Sequence, residues 1–244
     1  MIKNRQHANV SCGNCSVASL CIPRHVNNEE TEKLNALITN VCYLESHEFV
    51  YSQAQEMKNI YALRSGCCKE YSLNADGDET IHNFFLPGDL LGLESIAVKR
   101  YSFTIETVQP SVFCVIPYEP LLELLSECPD LKRRFINITS YKMQNSFFIP
   151  NTTNAKARTA AFLLNVCFRL RERGRGINHL QLPMSQYDIS KFLGLAPETL
   201  CRILHDFQYK DLLVLKNKTI SLLNLDVLQE IAGCKEYVTQ AETA

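Results

Sequence analysis

Residues 186–208 read QYDISKFLGLAPETLCRILHDFQ, and this stretch decides the character of the second half of the chain. A helix-turn-helix needs a small residue where its helices cross, a glycine to turn the chain, and an apolar seam between the helices. Ser190 stands at the crossing and Gly194 at the turn, with Ile189, Leu193, Leu195, Leu200 and Ile203 along the seam. Pro197, whose φ is already helical, belongs in the first turn of the second helix. On that helix Leu200, Ile203, Leu204 and Phe207 share one face. Glu198, Thr199, Cys201, Arg202 and His205 are left outside, near the end that enters a major groove. An arginine can grip guanine O6 and N7 with its fork, and a carboxylate can accept from cytosine N4. Glu198 and Arg202, four apart, are therefore candidate base readers. Their plainer use is an exposed i,i+4 ion pair worth about 0.3–0.5 kcal/mol.

Charge supports a polyanionic partner. Residues 155–220 hold eleven Lys/Arg against five acids, a balance of +6 within a chain of net charge −1. Downstream, LLVL (212–215) and TISL (219–222) flank a Lys-Asn-Lys turn as two short strands, the outline of a wing. Residues 155–244 are thus expected to form one DNA-binding domain.

Upstream, helical patterning covers 119–149. Leu131, Phe135 and Ile138 mark one apolar stripe, and Ile136, Met143 and Phe147 an adjacent one. Pro129 marks the start of the main helix and Pro150 its end, which predicts a long helix over 129–150. One stripe can face its own domain and the other a second subunit; a single wide core face is the alternative. From about 43 to 118 the texture is that of short strands. Gly66, Gly77 and Gly88 recur every eleven residues at the turn spacing of a small antiparallel roll, and 75–78 (ADGD) reads as a hairpin turn. Asn28 is the expected N-cap of a helix that opens the 28–128 domain, with Glu29 and Glu30 in its first turn.

Residues 1–27 are polar, too short for a core, and carry Cys12-x2-Cys15-x5-Cys21. Three thiols in a short flexible loop can reach one metal centre, and sets of four thiolates are the usual shell of zinc or an iron–sulfur cluster. Structural zinc usually shows a second CxxC, which is lacking, so the spacing leans toward a cluster. The fourth ligand stays open among Cys42, Cys67, Cys68, Cys114, Cys128, Cys167, Cys201 and Cys234. A free buried cysteine is most often a small hydrophobe. No apolar run approaches the ~18–20 residues of a membrane span, and the N-terminal segment has no apolar core of a secretory leader. A cytoplasmic location with no membrane partner is expected, where thiols stay reduced. With eleven cysteines in such a compartment, metal or redox chemistry is a better default than disulfides. No second-cofactor motif or catalytic His/Glu cluster supports an electron-transfer protein or any other enzyme.

CGNCSVASLCIP (12–23), YALRSG (61–66), GDETIHNFFLPGDLLGLESI (77–96), VFCVIP (112–117) and DISKFLGLAPETLCRIL (188–204) together resemble the FNR branch of the cyclic-AMP receptor protein/FNR family of transcription regulators, over essentially the whole chain. The resemblance implies an α+β protein: an N-terminal β-roll sensory domain of cyclic-nucleotide-binding type, a long dimerisation helix and a C-terminal winged helix-turn-helix. It also implies an oxygen-labile 4Fe–4S cluster on Cys12, Cys15, Cys21 and Cys114, and a homodimer on double-stranded DNA near TTGAT-N4-ATCAA. Contact with RNA polymerase follows from the same likeness. A zinc- or thiol-redox-based regulator of the same fold is the alternative. Family members that bind cyclic nucleotides carry Gly-Glu and Arg-Ser pairs in the roll. Here Leu93 follows Gly92 and Tyr101 precedes Ser102, so no cyclic nucleotide is expected. The branch's Glu-x-x-Ser-Arg becomes Glu198-Thr199-Leu200-Cys201-Arg202, and Ser146 stands where relatives often carry an acid.

Overall fold

The computed structural model describes residues 5–6, 11–38, 40–146, 154–172 and 180–233. The chain separates into two compact units, 1–141 and 142–244.

The first unit is built on helix α1 (Asn28–Leu37), strands β1 (Arg5–Gln6), β2 (Asn40–Leu44), β3 (Phe49–Tyr51), β4 (Asn59–Leu73), β5 (Glu79–Phe85), β6 (Leu90–Leu91) and β7 (Thr104–Pro117), and helices α2 (Tyr118–Glu127) and α3 (Pro129–Ser146). The strands form one antiparallel sheet in the order β1-β2-β7-β4-β5, with β3 on β7 and β6 on β4. Its spine, β4 against β7, consists of two long strands rather than the short ones expected. Gly66 explains the difference. It sits inside β4 at φ 100°, where a Cβ would lie 2.1 Å from the Ser111 hydroxyl, so glycine here permits a close approach and not a turn. Register shifts on both sides of it, between Leu63 and Cys68, let the long strand bend. Gly77 does close a turn: the Asn74 side chain accepts from the N–H groups of Asp76 and Asp78 at 3.0 and 2.8 Å.

Asn27 caps α1, one residue before the expected Asn28. It is extended, so its side-chain oxygen reaches the Glu30 N–H at 2.9 Å. The helical stretch 119–149 is two helices broken at Cys128, which is extended, just before Pro129. Leu131 and Ile138 of α3 are buried in the core with Leu34, Leu63, Phe113 and Leu121, and Phe135 packs against it. Ile136 and Met143 are 58% and 62% exposed. Phe147 and Pro150 lie outside the described residues.

The second unit contains α4 (Ala155–Glu172), β8 (Leu180–Gln181), α5 (Gln186–Leu193), α6 (Pro197–Tyr209), β9 (Leu213–Lys216), β10 (Thr219–Leu222) and α7 (Leu225–Ala232). The three strands pair antiparallel in the order β8-β10-β9. Helix α7 was not foreseen, although its signals are present: Asn224 caps it by accepting from the Val227 N–H, and Gly233 ends it in the left-handed region. Among the described residues no helix is long and apolar enough to cross a membrane.

Candidate metal centre and DNA-reading helix

Local chemistry shapes α5 and α6. Ser185 caps α5 by accepting from the Asp188 N–H at 3.0 Å. Gly194, at φ 62°, ends the helix in the left-handed region, and the Leu195 N–H returns to the Ser190 carbonyl at 2.9 Å. Ser190 is buried at the crossing and donates its hydroxyl to the Tyr187 carbonyl at 2.8 Å, so a small polar residue sits there without an unpaired group. Pro197 occupies the first turn of α6, whose Leu200, Ile203, Leu204 and Phe207 are all buried.

Glu198, Cys201, Arg202 and His205 are exposed along the other face, with Thr199 half-buried beside them. Among the described residues Glu198 and Arg202 form no ion pair. Arg202 instead leans three residues back, Nη2 donating to Thr199 Oγ1 at 3.4 Å, a long and readily exchanged bond. Two of the basic residues counted from the sequence share one internal carboxylate. Lys156 and Lys210 both bind Asp206, at 2.7 and 3.2 Å, and their hydrogen bonds hold its carboxyl below the usual range. Tyr187, exposed on α5, lies under the Lys191 ammonium at 4.9 Å, a pair visible in the sequence only as an i,i+4 spacing.

The cysteine loop is shaped from a distance. A chain of turns folds it: the N–H of Cys15 reaches the Cys12 carbonyl, that of Ala18 the Cys15 carbonyl, and that of Cys21 the Val17 carbonyl. The Cys12 N–H donates to Asn35 of α1 at 2.7 Å. Leu20 lies over Gly88, where a Cβ would come within 2.7 Å of the leucine's own Cβ. Cys114 approaches from β7, between Val41 and Ala62 of the neighbouring strands.

Cys12, Cys15, Cys21 and Cys114 line one small pocket with Arg64, walled by apolar side chains such as Val17, Leu34 and Leu63. Burial pushes the Cys12 thiol up to about 11, and Cys15 adds to this while Arg64 opposes it. Cys21 is pushed up to about 12 by burial, against the Ile22 N–H, and Cys12, Cys114 and Cys15 raise it further. Burial likewise takes Cys114 to about 12 despite Arg64. Such thiols resist ionisation on their own and gain most from a bound cation, which deprotonates its thiol ligands outright. Four soft donors in an apolar wall therefore fit a thiolate-held iron group by the chemistry of the set. Among the described residues no three of His, Cys, Asp and Glu converge closely enough to hold a single ion.

Cys42, Cys67, Cys68, Cys128 and Cys167 are buried and line no part of this pocket; Cys201 is exposed on α6, and Cys234 lies outside the described residues. Arg64 was overlooked in the sequence because a single arginine in a strand carries no pattern. Its proximity is a product of the β4–β7 pairing alone.

A single-sheet β-roll followed by a winged helix-turn-helix defines a class: regulators in which a sensory fold is coupled to a DNA reader. The cyclic nucleotide-binding domain family matches residues 41–128, and the Crp-like helix-turn-helix domain family matches residues 157–231. The fumarate and nitrate reduction regulatory protein of Escherichia coli K12 is 33% identical over 227 residues, covering 92% of this chain and 91% of the relative. That of Vibrio cholerae is 34% identical over the same shares. The structure of FixK2 from Bradyrhizobium japonicum has the same fold at TM-score 0.71, with 24% identity over 78% of this chain and 96% of that one. The chain belongs to the FNR branch of the cyclic-AMP receptor protein/FNR family of transcription regulators, and it is not an enzyme.

Proposed function

We propose that this protein is an oxygen-responsive, cytoplasmic regulator of anaerobic genes that binds an inverted-repeat DNA site as a homodimer while Cys12, Cys15, Cys21 and Cys114 hold a 4Fe–4S cluster. The observation that carries this reading is the shared pocket: of the ten described cysteines, these four line it and the other six do not. When bound, the cluster supplies a link among its thiolates that oxygen can break. The chain's own residues do the rest. Cys12, Cys15 and Cys21 bring the loop against β7 through Cys114, and the loop lies beside α3. With the loop fixed, α3 presents Ile136 and Met143 to a second subunit. Two copies of α6 then meet half-sites about one helical turn apart. The cluster need favour the paired state by only a few kcal/mol.

The relatives named for fumarate and nitrate reduction support the anaerobic role, and activation through RNA polymerase is proposed with it. Cyclic nucleotide is not the proposed ligand. Tyr101 stacks on Tyr51 at 3.7 Å next to Gly92, and Arg100 turns outward to the Ala54 carbonyl.

Purification without air, with iron, sulfide and zinc measured, tests the reading. About four irons and four sulfides per chain are expected, lost with Cys114→Ser and kept with Cys128→Ser. Zinc in place of iron would favour the alternative regulator. Met143→Asp would bury a charge in the subunit contact, so sedimentation without air should show monomers that keep their iron. A full dimer removes Met143 from the interface.

A further inference from the structure

One fastening of the cysteine loop is not used by the four-thiol reading. Arg134 projects from α3 and is only 7% exposed, and its Nε and Nη2 both donate to the Cys21 carbonyl at 3.3 Å. Among the described residues no carboxylate pairs with it. Burial and the like-charged Arg24 both disfavour its positive charge, while Cys21 favours it. A buried guanidinium held by one carbonyl is an incomplete arrangement, because buried charges are ordinarily matched by an opposite charge. Of the described charges that act on it, Cys21 is the one that favours the guanidinium, and four thiolates on a cluster carry more negative charge than four buried thiols.

We infer that Arg134 is a positioning residue that couples the charge of the thiolate set to α3: it clamps the Cys21 segment to the helix when the thiolates are present and releases it when they are lost. The inference rests on the four-cysteine reading and deepens it. Arg134 touches the backbone of a proposed ligand and lies on the helix that carries the exposed stripe, two residues before Ile136. Among the described residues no other hydrogen bond joins a cysteine of the pocket directly to α3. Nothing in the sequence marks Arg134 out, since Lys132-Arg133-Arg134 looks like a solvated basic run.

The test compares Arg134→Met with the natural chain, both iron-loaded and metal-free, by backbone hydrogen exchange over residues 17–26 and by the rate at which a chelator removes iron without air. In loaded protein Arg134→Met should raise both rates about tenfold, the size of one charge-assisted hydrogen bond. In metal-free protein the exchange should change by less than about twofold, because the matching charge is gone. Arg134→Lys keeps the charge without the fork and should fall between, and it serves alone if Arg134→Met does not fold. Equal effects in loaded and metal-free protein would make Arg134 an ordinary structural clamp and overturn the inference. So would unchanged rates in a loaded variant, which leave the four-cysteine reading standing. A natural chain that takes up no iron and sulfide sinks both.

Discussion

The cysteine loop and the helix-turn-helix are held in opposite ways. Between Ser185 and Tyr209 the determinants are local: a serine cap, a left-handed glycine, a proline in the first turn, and a seam closed within a few residues. Between Cys12 and Val26 the turns are local, but what fastens them to the domain comes from far along the chain. Asn35 holds the Cys12 N–H, Gly88 makes room for Leu20, and Arg134 holds Cys21. The loop's only regular structure is a single 3-10 turn at Ala18–Leu20. A segment stabilised mainly by distant contacts can be released without unfolding its domain. A segment stabilised by its own neighbours stays formed whatever the other unit does. The difference suits a detachable sensor and a permanent reader.

The same substitution at two glycines separates the two regimes and has the largest expected effect. Gly88 has φ 97°, and a Cβ there would meet Leu20 at 2.7 Å, so Gly88→Ala suffers backbone strain and a clash with the loop. The two costs sum to roughly 2–5 kcal/mol. Gly194 has φ 62° with nothing within 4 Å of a Cβ, so Gly194→Ala incurs strain alone, about 1–2 kcal/mol. Calorimetry should show the first lowering the transition of the β-roll and the second that of the winged unit. If Gly88→Ala costs no more than Gly194→Ala, Leu20 is not docked where the structure places it.

The same contrast explains what could be read in advance. The crossing at Ser190, the turn at Gly194 and the buried face of α6 follow from spacing, because each is a neighbour effect. Spacing also suggested that three thiols could share a centre. It could not bring Cys114 to the same pocket, because that is done by pairing with Val41 and Ala62 across more than fifty residues of chain. The resemblance named it; the strands carry it there. Arg64 and Arg134 were invisible for the same reason. Gly66 misled because a glycine that permits close strand approach looks identical to one that turns the chain. The cap of α1 was misplaced by one residue because adjacent asparagines carry the same signal, and only the extended backbone of Asn27 chooses between them.

Within the reader, effects become smaller and more specific. Arg202 is exposed and rests on Thr199, a contact weak enough to exchange for a base edge. Arg202→Ala should cost about 1–3 kcal/mol of DNA affinity and relax preference at one G·C pair only. Thr199→Ala should weaken every sequence alike if its hydroxyl meets a phosphate. Titrations against a set of single-base variants separate the two. A uniform loss with Arg202→Ala would move that residue from base to backbone.

The smallest effect concerns Cys201, where this chain departs from the Ser-Arg of its branch. Its thiol is exposed on the face of α6 proposed to read DNA, beside Arg202 and one turn on from Glu198. A thiol is larger than a hydroxyl and a much weaker hydrogen-bond partner. It therefore loses most of a polar contact with a base edge while still packing on a thymine methyl. Thymine should remain the preferred base at that position, less sharply than with serine, and Cys201→Ser should sharpen it by about 1 kcal/mol or less. The substitution touches neither the α5–α6 seam nor the cysteine pocket, so stability and iron content should be unchanged. Selecting sites from a random DNA pool without air, with both proteins, measures the preference directly. Identical preferences would turn residue 201 away from the groove, and the reading face would then be narrowed to Glu198 and Arg202.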